Sequence, residues 1–144
     1  SRRSDAIVMA AAVADFTPSS VSPRKIKKPA AGNDGAFSLE LTPTKDILLT
    51  LAAAKRRQPV VGCALETHDE VKNARRKLKE KRLDLLVLNN PLKAGSGFGG
   101  DTNVVTLFRK NGSAQKLPRL SKFDVANEIL DRLRPLLSKR RRRR

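Results

Sequence analysis

Apolar positions along this chain fall into two kinds of run. Three are short and nearly unbroken: Ile7 to Val13, Pro59 to Leu65 and Leu83 to Leu88. Lacking polar alternation, they predict strands buried on both faces. Elsewhere the apolar residues recur every three or four places among charges, which predicts amphipathic helices. Ile47, Leu48, Leu51 and Ala52 mark one, with Thr42 or Thr44 as cap and Lys55, Arg56 and Arg57 in its last turn. Val71, Ala74, Leu78 and Leu83 mark a second, opened by a Thr67–Glu70 capping box. Phe123, Ala126, Ile129, Leu130 and Leu133 mark the inner face of a third, opened by Ser121 and Asp124 and weakened by Pro135. Phe37 to Leu41 alternates as an exposed strand does, after a turn at Gly32 to Gly35. Asn111 and Gly112 separate two strand-like segments as a hairpin turn would.

Strands alternating with helices imply parallel pairing through right-handed crossovers. The expected fold is therefore α/β: a Rossmann-like three-layer sandwich with a mostly parallel sheet and an antiparallel hairpin edge. A buried strand at the very start lacks a preceding helix to cover it, so the domain is expected to be incomplete at its N-terminus. With 144 residues, one domain is expected. No signal peptide or membrane-spanning run is visible, and one cysteine cannot form an internal disulfide, so a cytoplasmic location is expected.

The net charge of +17 changes the picture at the C-terminus, where Lys139 to Arg144 hold six of those charges. A block of like charges repels itself, so residues 139–144 are expected to form a disordered basic tail after a domain at 1–138. Such a tail is the one feature expected to attract nucleic acid. The charge left on the body suits a phosphorylated small molecule.

Candidate chemistry gathers between Ala10 and Lys28. Asp15 follows the first strand, and Lys25, Lys27 and Lys28 follow Asp15, an order that would bring a carboxylate and cations to one sheet edge. Lys77 and Lys81, four apart, share a helix face and could present two ammonium groups to a polyphosphate. Gly95, Gly97 and Gly100 match a dinucleotide fingerprint in letters, but a strand follows them where the fingerprint needs a helix, so the segment is read as a loop. His68 is read as a surface residue, and Cys63 as a packing residue of a buried strand.

AAAVADF with KIKK, LTPTKDILLTLA, VVGCALET, ARRKLKEKRLDLLVLNN and GFGGDTNVVTLF together resemble bacterial, CTP-dependent phosphopantothenoylcysteine synthetase, over roughly the C-terminal two thirds of its domain. The resemblance implies a phosphopantothenate–cysteine ligase of coenzyme A biosynthesis. It would activate 4′-phosphopantothenate with CTP and Mg2+, then form an amide with cysteine. It implies Lys25 as the catalytic residue and a nucleotide-binding set of Asp15, Lys25, Lys45, Asp46, Ile47, Leu48, Cys63, Lys77 and Lys81. Lys45 replaces the family's usual proline and Cys63 its usual phenylalanine, and the family's NxSSGxMG motif is absent. A homodimer is implied, with a phosphopantothenoylcysteine decarboxylase domain or chain as partner. The alternative is a truncated, non-catalytic module that binds nucleotide or polyanions.

Overall fold

The computed structural model describes residues 4–27, 37–54, 58–97 and 99–141, with side chains as far as Ser138. The expected Lys28, the turn at Gly32 to Gly35, the charges at Lys55 to Arg57 and the end of the tail at Arg142 to Arg144 lie outside the described residues. The chain divides into two units, one of Ser1–Ala10 with Ile47–Arg144 and one of Ala11–Asp46.

The larger unit is built on five strands: β1 (Ile7–Met9), β4 (Val60–Leu65), β5 (Leu85–Asn89), β7 (Val105–Arg109) and β8 (Ala114–Lys116). In space they run β1-β4-β5-β7-β8. β1 pairs with β4 and β4 with β5 in parallel. The direction then reverses, with Leu85 opposite Arg109 and Phe108 opposite Ala114. Helices cover both faces, as the three-layer reading requires. On one face α1 (Ile47–Ala54) and α2 (Glu70–Glu80) bury Leu48, Ala74 and Leu78 against Val60, Ala64, Leu86 and Phe108. On the other, α3 (Lys122–Arg141) buries Val125 and Leu133 against Val61, Leu85, Val87 and Leu107. A short antiparallel pair, β6 (Thr102–Asn103) with β9 (Leu120–Ser121), leads into α3. No helix among the described residues is long and apolar enough to cross a membrane.

The smaller unit holds an antiparallel pair, β2 (Phe16–Pro18) with β3 (Leu41–Pro43). Thr44 fastens it: its amide donates to the Asp15 carbonyl at 2.9 Å and its hydroxyl to the Ala14 carbonyl at 2.6 Å. The exposed strand expected over Phe37 to Leu41 is confined to Leu41–Pro43.

Several local expectations give way to packing. The first strand spans only Ile7–Met9, with Val8 45% exposed, because it is paired on one side and only partly covered by the core. Asp69 occupies the cap position of α2 in a left-handed conformation, φ 48°, without a side-chain cap, so the Thr67–Glu70 box does not form. The box at α3 does form, Ser121 Oγ donating to Asp124 Oδ2 at 2.6 Å and accepting the Asp124 amide at 3.0 Å. α3 is rotated part of the way from the expected face: Ile129 and Leu133 pack on the core as expected, but Phe123 and Leu130 are 75% and 54% exposed and Val125 is buried instead. Arg132, paired with Glu128 and bonded to Gln115 Oε1 at 2.8 Å, fixes that rotation against β8. The helix also continues through Pro135 to Arg141, where a tail was expected from Lys139.

Candidate functional site

Parallel strands end their ladders on one edge, where loops can carry side chains toward a ligand. In the larger unit that edge is made by the carboxyl ends of β4 and β5. Glu66 follows β4 directly, its amide donating to the Asn89 carbonyl at the end of β5 at 3.0 Å. α2 rises beside them and supplies Glu70, Asn73 and Lys77 from one side of its first two turns.

Two linked clusters result. Lys77 Nζ lies 2.7 Å from Glu66 Oε1 in an ion pair whose carboxylate side chain is only 11% exposed. Asn73 Nδ2 donates to Glu66 Oε2 at 3.1 Å and to the His68 carbonyl at 3.3 Å. Glu66 Oε1 makes no hydrogen bond beyond the ionic contact. In the second cluster, Glu70 accepts from Asn90 Nδ2 at 2.8 Å and from Lys93 Nζ at 2.6 Å. These two bonds, Lys93 first, hold the Glu70 carboxyl below the usual carboxylate range.

The glycine-rich loop is tied to the same edge. Asn90 Oδ1 accepts the Leu92 amide at 2.9 Å, and Asn89 Nδ2 donates to the Ser96 carbonyl at 3.4 Å. Buried Ser96 then binds the Val104 amide and carbonyl through its hydroxyl, at 3.2 and 3.3 Å. Thr102 closes the loop by donating to the Gly95 carbonyl at 3.2 Å. Gly95 is needed in person: its φ is +83°, and a Cβ there would meet Arg119 Cδ at 2.4 Å. Strand β6 follows the loop, as expected, so no helix dipole faces it.

This edge offers recognition chemistry. Ammonium and carboxamide groups donate to anionic oxygens, while the buried Asn89 Oδ1, which has no hydrogen-bond partner, is an acceptor in waiting. Sequence reasoning found Lys77 but missed Glu66, Asn73, Glu70, Asn89, Asn90 and Lys93 as a group. The available signal was the run of polar residues immediately after each buried strand, ETHDE and NNPLK.

The other expected site residues are dispersed. Lys77 is ion-paired with Glu66, and Lys81 is the C-terminal cap of α2 through its backbone amide. Asp15 and Lys25 belong to the smaller unit and are both exposed, with no ion pair between them among the described residues. Lys45 and Asp46 end that unit, while Ile47 and Leu48 open α1 in the larger one, Leu48 buried in its core.

Cys63 is exposed, contrary to its expected burial. It shares the β4 face of Val61, which α3 covers, but lies farther along the strand than that cover extends. Burial of the sulfur's surroundings nevertheless pushes the thiol pKa up. A raised thiol is a poor nucleophile near neutral pH. Among the described residues, no group of three or more His, Cys, Asp or Glu could hold a metal ion.

Comparison with known proteins adds the family. Residues 1–136 match the model of the DNA/pantothenate metabolism flavoprotein C-terminal domain. The chain is 48% identical over 133 residues to the coenzyme A biosynthesis bifunctional protein CoaBC of Bacillus subtilis, covering 92% of this chain and 32% of that protein. It is 42% identical over 137 residues to a cysteine/cysteine sulfinic acid decarboxylase of an unknown prokaryotic organism, covering 94% and 37%. The crystal structure of the C-terminal domain of a CoaBC protein superposes with a TM-score of 0.69 at 33% identity, covering 93% of this chain and 56% of that one. The chain thus spans about a third of the length of the two relatives.

These findings correct the expected activity. The family is described as a flavoprotein domain and one relative is named a decarboxylase, whereas none of these names contains a ligase, CTP or magnesium. The assignment as a CTP-dependent phosphopantothenate–cysteine ligase, with CTP and Mg2+ as co-substrate and cofactor, is therefore set aside. Shared by sequence, by fold and by the Rossmann-like sheet whose strand ends carry this cluster, the coarser relationship stands: the chain belongs to the family of DNA/pantothenate metabolism flavoprotein C-terminal domains.

Proposed function

We propose that this chain is the part of a coenzyme A biosynthesis protein that binds a phosphorylated pantothenate derivative carrying a cysteine moiety. The observation that carries the reading is the polar cluster of Glu66, Glu70, Asn73, Lys77, Asn89 and Asn90 at the carboxyl ends of β4 and β5. The 48% identity to the Bacillus subtilis coenzyme A biosynthesis protein supports the choice of ligand. Lys77 serves the ligand's anionic end and the two strand-end amides its amide and carboxylate groups.

A flavin does not fit this cluster. An isoalloxazine ring needs apolar or aromatic cover, and the side chains here are charged or carboxamide. Phe108 is locked in the core and Phe123 lies on α3.

Calorimetric titration of the whole chain with 4′-phosphopantothenoylcysteine tests the reading. One molecule should bind per chain, and Lys77→Ala or Asn90→Ala should weaken binding by about tenfold, the equivalent of one lost charge-assisted hydrogen bond. Equal affinity for the compound without its phosphate, or unchanged affinity in both variants, would overturn it.

A further inference from the structure

At the opposite edge of the larger unit, near the amino end of β5, lies a cleft of about 660 Å3 that the preceding proposal does not use. Its floor is apolar, formed by Ala52 of α1, Leu78 of α2 and Leu83. Its rim is cationic: Arg75 and Lys79 on α2, Arg82 just past the helix, and Lys110 in the β7–β8 turn. No carboxylate lines it. Glu80 is engaged by Arg76 at 3.2 Å, and Asp84 Oδ2 takes the Val60 amide at 2.9 Å. Among the described residues, Arg75, Lys79 and Lys110 have no ion-pair partner.

The way α2 ends places these cations. The Arg82 amide donates to the Lys79 carbonyl at 3.1 Å and the Leu83 amide to the Leu78 carbonyl at 2.9 Å, the double closure of a Schellman turn. Its left-handed position usually belongs to glycine, yet here it is Arg82, at φ 47°. The chain thus keeps a long cation at the cleft mouth where local geometry favours none. The turn also drives Leu83 into the floor, against the space above Gly62, where a Cβ would lie 2.8 Å from Leu83 Cδ1.

We propose that this cleft is a second ligand site, for an amphipathic organic phosphate whose apolar part lies on Ala52, Leu78 and Leu83 while its phosphate meets Arg75, Lys79, Arg82 and Lys110. Its volume suits a small organic ligand rather than inorganic phosphate alone. Arg75, Lys79 and Lys110, without ion-pair partners among the described residues, repel one another, and a bound dianion relieves that repulsion while the floor excludes water beneath it.

The test is amide NMR of the whole chain titrated with 1-naphthyl phosphate, with inorganic phosphate and 1-naphthol as single-feature controls. Saturable shifts at Ala52, Leu83 and Gly112 are expected, with either control binding at least about tenfold more weakly. Lys79→Glu with Lys110→Glu should weaken 1-naphthyl phosphate by about tenfold or more. Arg82→Gly, which keeps the turn and removes the cation, should also weaken it. The proposal is overturned if the shifts map to Asn90 and Lys93 or to the end of α3, if 1-naphthol binds as tightly as its phosphate, or if Arg82→Gly binds unchanged.

Discussion

Glu70 shows how one side chain can hold a loop in place. Lys93 and Asn90 both donate to its carboxylate, and its folded pKa is depressed below the ordinary 4.5. A depressed carboxyl contributes stability in full above its unfolded pKa and loses it as pH falls through the folded value. As pH falls through that depressed value, Asn90 and Lys93 should be released from α2 before the rest of the unit unfolds, read as accelerated exchange at the Leu92 and Lys93 amides that Asn90 holds. Lys93→Ala should move the Glu70 titration midpoint upward by NMR. A midpoint that stays put would show that Lys93 does not hold the carboxyl down. None of this is legible in the sequence, since Glu70 and Lys93 meet only because β5 returns the chain to the start of α2. Cys63 was misread for a related reason. Period-two alternation gives its face of the strand, but not how far along that face a helix reaches.

At the scale of elements, α3 separates pattern from packing. Phe123, Ala126 and Leu130 form a helical stripe, and so do Val125, Ile129 and Leu133. Periodicity alone does not choose between two stripes of the same period. The choice is made by the sheet, through Arg132 on Gln115 and through Leu117 and Leu107 packing beneath. Leu133→Ala should lower unfolding free energy in urea by about 2 to 5 kcal/mol, as a cavity in a packed core does. Phe123→Ser should change it by no more than about 0.5 kcal/mol. Comparable losses in both would refute the observed orientation. The strands and helices themselves were readable because unbroken apolar runs and charged periodic runs differ so sharply here. The α3 cap was readable too, but the α2 cap was not, because Asp69 took the left-handed position and left Thr67 to bond His68 Nδ1 at 3.2 Å.

For the molecule as a whole, the order of strands in space separates contacts made early in the chain's search from those made late. β7 and β8 are joined by the Gly112 turn, and β5 reaches β7 across one loop, whereas Ile7 finds Val60 only after the smaller unit and α1 have intervened. Pairings that close long intervals cost more chain entropy. Hydrogen exchange of the native protein should leave Leu86 and Leu107 amides the most protected and those of β1 the first to open. Equal protection across the sheet would contradict that hierarchy. The α/β class was legible from the alternation of runs. The partly uncovered face of β1 was not, because an apolar run shows what a strand could bury and not what is there to bury it. The same topology has a meaning during biosynthesis: on a ribosome, β1 emerges well before its only partner among the described strands. Ile7 and Met9, which pack against the core in the folded chain, then stay uncovered until β4 has cleared the exit tunnel.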